Sequence, residues 1–151
     1  SSWSRIPIEQ MLNHSDNWKV IVTHRIVAKK FIIFSVNLTP PRETHTDGRI
    51  HAELLIKALR QLHVRSELQF PPPEAGKVGR PCAPFPGKKR LYVKDKNALA
   101  LKRCNELMQY LEAAFMTALL AEFWIDKLLD YDTAAGGMGA EEQFLNGDND
   151  D

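Results

Sequence analysis

The chain has 151 residues, 44% hydrophobic and 26% charged, with a formal net charge of +1. This balance suits one globular domain with tails, long enough to bury a core without a metal or disulfide staples. It excludes a membrane span as well, because the most apolar window, residues 107–129, contains Glu112, Glu122 and Asp126, whose charges are costly in a bilayer.

Residues 6–14 read as a short helix with Pro7 in its first turn, ended by Ser15-Asp16-Asn17. Two strands follow. Residues 18–27 alternate, with Trp18, Val20, Val22 and Ile26 on one face; residues 31–38 place Ile32, Phe34, Val36 and Leu38 on one face. Ala28-Lys29-Lys30 between them reads as a tight turn, without the glycine or asparagine such turns prefer, the alternative being one uninterrupted long strand. Thr39-Pro40-Pro41 ends the pair, since proline cannot donate to a ladder.

Ile50, Leu54, Leu55, Ala58, Leu59 and Leu62 recur at helical spacing, which predicts a helix over about 48–63. Residues 64–70 are expected as a third strand. Residues 71–87, with six prolines and three glycines, are expected to be a long flexible loop. Residues 89–93 are a short fourth strand in this reading. Asp95 caps a final helix over about 96–129. That helix is apolar around most of its circumference, so it requires a break, a second copy or a partner to cover it. The expected architecture is α+β: a small, mainly antiparallel sheet packed by two main helices, forming one domain over 1–130. Residues 131–151 are expected to be a disordered acidic tail.

Charge is strongly segregated along the chain. Residues 77–103 carry nine cations against one anion, Asp95, while residues 130–151 carry seven anions and no cation. The basic segment is the leading functional signal. Lys77, Arg80, Lys88, Lys89, Arg90, Lys94, Lys96, Lys102 and Arg103, with Tyr92 available for stacking, are the candidate nucleic-acid contacts. Lys29, Lys30 and Arg42 widen this patch if the fold brings them near. Leu111, Phe115, Leu119 and Phe123 are the candidate contacts to a protein partner or second copy.

No catalytic or metal-binding residues are assigned, and no cofactor is expected. Gly76-Lys77-Val78-Gly79-Arg80 lacks the Gly-Lys-Ser/Thr of a phosphate loop, and no Gly-x-Ser-x-Gly occurs. His51 and Glu53 point about 200° apart on a helix, so they cannot share an ion there. Cys82 and Cys104 form neither a disulfide framework nor a C-x-x-C pair, which points to a reducing compartment, nucleus or cytoplasm. The expected function is therefore a non-catalytic binding module, a subunit of a larger assembly that contacts nucleic acid or another polyanion. The alternative is a protein–protein interaction or dimerisation domain that uses its apolar C-terminal helix.

Overall fold

The computed structural model describes residues 17–41, 49–88, 94–136 and 143. Three strands, β1 (Lys19–Val27), β2 (Phe31–Thr39) and β3 (Ile50–Leu55), form an antiparallel meander in the order β1-β2-β3. Three helices follow: α1 (Ile56–Gln69), α2 (Lys96–Ala114) and α3 (Ala118–Tyr131). The architecture is α+β. The expected helix over 6–14 and strand over 89–93 lie outside the described residues.

Register sets which side chains are buried. Val20 pairs with Leu38, Val22 with Val36, and Ile26 with Ile32; on the other side of β2, Phe34 pairs with Leu54 and Val36 with Ala52. These residues share one face of the sheet, because alternate residues of a strand point the same way. Together with Leu59, Leu62, Leu107, Leu111, Trp124 and Leu128 they form a single core. α2 lies mainly against β1, and α3 against β3. The opposite face carries a polar network: Arg25 Nε donates to Glu53 at 2.9 Å, Ser35 Oγ to the same carboxylate at 3.2 Å, and Asn37 Oδ1 meets His51 Nδ1 at 2.8 Å. An antiparallel sheet tolerates this division into an apolar and a polar face.

Two expected elements are corrected. Residues 50–55 are strand, and the helix begins at Ile56 and runs to Gln69 through the segment expected as a strand. The apolar residues over 50–62 satisfy both periods, since Ile50, Ala52 and Leu54 also alternate. The deciding factor is non-local: the free edge of β2 offers a ladder of hydrogen bonds, and local propensity yields to it. In the same way, residues 64–69 remain helical because Leu62 and Ser66 face the core while Val64 and Leu68 point to solvent.

The long C-terminal helix is broken at Phe115-Met116-Thr117, where Thr117 N donates to Ala114 O and Ala121 N to Thr117 O. The break supplies the missing cover. It turns the apolar surface of one long helix into two shorter faces that both pack on the sheet.

The outer edge of β3 is capped by the chain that follows α3. Glu53 N donates to Asp132 Oδ1 at 2.9 Å, and Glu53 O accepts from Thr133 N and Oγ1. Leu55 N donates to Gln143 Oε1 at 2.8 Å, while Gln143 Nε2 donates to Tyr131 O. Asp132, Thr133 and Gln143, which composition places in the acidic tail, thus satisfy an edge strand that would otherwise offer unpaired backbone groups. The other tail residues from 137 onward lie outside the described set.

Candidate nucleic-acid interface

The connection between β1 and β2 has three residues, and Lys30 N donates to Val27 O at 3.1 Å. Ala28 and Lys29 both have positive φ, 54° and 58°. Two consecutive left-handed residues are what a type I′ turn requires, and glycine or asparagine normally supplies them. Here a lysine occupies the second position instead, at a cost of roughly 1–2 kcal/mol for each non-glycine residue.

This turn meets the start of α2. Lys96 Nζ donates to Lys29 O at 3.2 Å and to Lys30 O at 3.3 Å. Asn97 Oδ1 lies 3.4 Å from His24 Nε2 on β1. Asp95 caps α2 by accepting from Ala98 N at 3.1 Å, and the first turn of the helix contains no acidic residue. Lys96 therefore brings turn residues Lys29 and Lys30 beside the start of α2, which Lys94 precedes by two residues, and Lys29, Lys30 and Lys94 are exposed. The backbone partial charge there is also positive, which disfavours cations and favours an anion. Lys30 also stands 5.3 Å from the centroid of the Phe31 ring.

The other candidate cations do not all join this corner. Lys102 is exposed on α2, about 120° around the helix from Lys96 at 100° per residue. Lys88 is exposed. Lys77 is ion-paired to Glu74 at 3.1 Å. Arg80 donates through Nη2 to Phe70 O at 2.7 Å, beside the far end of α2. That end, marked by Tyr110, is roughly 21 Å from Lys96 at 1.5 Å per residue. Arg103 is a correction: it is 1% exposed and donates to Gly87 O at 3.3 Å, so its charge is held inside the fold. Lys89, Arg90 and Tyr92 lie outside the described residues.

The candidate partner face is corrected too. Leu111, Phe115 and Phe123 are buried in the core, while Leu119 is 60% exposed. Trp18 packs edge-on against Phe115 at 5.3 Å. The apolar surface that α3 leaves outside is a shallow groove shared by Trp18, Phe70, Leu119 and Leu129.

One feature could not be found from composition. Arg60 donates to Pro86 O at 2.8 Å and Arg103 to Gly87 O, so two arginines hold the end of the proline-rich loop against the helices. No run of residues announces this, because a helical arginine reads alike whether it faces a carbonyl or water. Among the described residues no group of three or more His, Cys, Asp or Glu side chains could hold a metal, and no helix is long and apolar enough to cross a membrane. Cys82 is exposed, Cys104 is buried, and neither forms a disulfide. Burial pushes the Cys104 thiol up to about 11. Comparison of the chain with protein-family models and with curated proteins finds no match.

Proposed function

We propose that this chain is a non-catalytic binding module that contacts nucleic acid through the lysine corner at the start of α2, within a larger assembly in the nucleus or cytoplasm. The observation that carries this reading is the bridge from Lys96 to the β1–β2 turn. It brings two lysine residues 66 and 67 positions away in sequence beside the start of α2, which supports a shared anion-binding corner. A strained turn that carries a lysine where glycine is preferred supports the same reading, since backbone strain tends to sit at functional sites.

Salt dependence provides the test. Four phosphate contacts predict a slope of log K against log [salt] of about −3.6 on duplex and about −2.8 on single strands. Engagement of all nine cations of residues 77–103 would give a slope of about −8 on duplex. Fluorescence anisotropy with a short labelled oligonucleotide distinguishes these values. A slope near zero, or no binding at low salt, would refute the role.

The exposed apolar groove along α3 favours a second reading, in which the assembly forms through that surface with no nucleic-acid role. Binding of that kind would change little with salt.

A further inference from the structure

At the end of α2 remote from the lysine corner, the proline-rich loop folds over α1 and α2 and leaves a cleft of about 310 Å³. This is the lower end of the size range for small-molecule sites. Three arginines fasten the loop: Arg60 to Pro86 O, Arg103 to Gly87 O, and Arg80 to Phe70 O. Phe85 stacks on the His63 ring at 4.8 Å with an 11° interplanar angle, and meets Tyr110 edge-on at 5.1 Å. The walls are therefore held in place before any ligand arrives.

A census of donors narrows the ligand. His63 Nε2 lies 2.9 Å from Glu67 Oε1, and His63 Nδ1 lies 2.7 Å from the Tyr110 hydroxyl. Burial lowers the His63 pKa and so favours the neutral ring. Its Nε2–H then donates to Glu67, and Nδ1 accepts from Tyr110. Ser66 Oγ donates to His63 O at 2.7 Å. These protons are already committed. Arg80 is different: one N–H reaches Phe70 O, and its buried Nε has no hydrogen-bond partner. The remaining lining is apolar, chiefly Pro72, Pro84, Phe85 and Leu120.

We propose that this cleft binds a small monocarboxylate with an apolar, preferably aromatic, body. The carboxylate pairs with the Arg80 guanidinium, and the ring lies against Phe85 and the prolines. A guanidinium matches a carboxylate in planarity and spacing. Inorganic phosphate would leave the apolar walls unmatched, and the nearby Glu67 carboxylate opposes a dianion more strongly than a monoanion.

Phenylacetate is a suitable probe, titrated into the full chain by calorimetry, with a dissociation constant expected in about the millimolar range for so few atoms. It should also slow alkylation of Cys82, the exposed thiol on the cleft lining. The neutral analogue 2-phenylethanol should bind about tenfold more weakly, and Arg80→Gln should weaken phenylacetate by about tenfold. Ala83→Phe, on the loop and outside the core, should fill the cleft and abolish saturable binding without unfolding the protein. The proposal is overturned by an absence of saturable heat up to about 20 mM. It is equally overturned by equal binding of 2-phenylethanol, by phosphate competing as well as phenylacetate, or by folded Ala83→Phe binding like the parent chain.

Discussion

Replacing Ala28 with glycine in the β1–β2 turn is expected to stabilise the domain. Ala28 has φ 54° and Lys29 φ 58°, in the left-handed region where a Cβ meets the following carbonyl. Relief of that clash is worth roughly 1–2 kcal/mol per residue, and the larger backbone entropy of unfolded glycine takes back about 0.5–1 kcal/mol. The net gain is then about 0.5–1 kcal/mol for Ala28→Gly, and about twice that with Lys29→Gly added. For a chain of this size, 1 kcal/mol corresponds to roughly 2–4 °C in Tm. Urea denaturation should show a higher midpoint with an unchanged slope, since the surface exposed on unfolding is the same. The two variants separate strain from charge. Ala28→Gly should leave the salt dependence of oligonucleotide binding unaltered, whereas Lys29→Gly should make the slope less negative by about 0.9 on duplex. A neutral or destabilising Ala28→Gly would show that the turn is not strained as described, and an unchanged slope in Lys29→Gly would remove Lys29 from the contact surface.

Three further outcomes are expected. Arg103→Met should lower stability by about 1–3 kcal/mol, from the lost charged hydrogen bond to Gly87 O, and leave the salt slope intact; a slope less negative by about 0.9 would mean that Arg103 reaches phosphate. The Arg25 guanidinium beside Glu53, helped by Ser35, holds the Glu53 carboxyl below its usual range. A depressed folded-state pKa stabilises the fold above the unfolded value of about 4.3 and ceases to do so as pH falls through the folded value. Glu53→Gln should therefore be less stable at pH 7 and lose less stability on acidification, as read from urea midpoints between about pH 7 and 3; parallel pH profiles would contradict this. Leu119→Asp should keep its stability within about 0.5 kcal/mol, because the side chain is exposed, but lose any self-association or partner binding through α3. Ultracentrifugation showing an altered mass for the parent chain that the mutant retains would discount that face.

Strands β1 and β2 are legible in the sequence because β-branched and aromatic residues are dense there, whereas the register that pairs Val22 with Val36 and Ile26 with Ile32 is set by the turn between them. The capping role of Asp95 is equally local, since a carboxylate three residues before Ala98 reaches its N–H directly. Residues 50–55 are not legible in this way. Their pattern suits strand and helix alike, and the vacant edge of β2, from Leu38 opposite Ile50 to Ile33 opposite Leu55, decides between them.

Composition and spacing determined the class of the protein: an α+β domain with a basic middle and an acidic end. Only the tertiary structure decided which cations stand together. Arg80 and Arg103 face backbone carbonyls, whereas Lys29 and Lys30, in the turn of the sheet's first hairpin, meet Lys96 through their backbone oxygens. The physical reason is that charge is counted along the chain but acts through space. Coulomb interactions depend on distances and on desolvation, and long-range packing of α2 against β1 sets both.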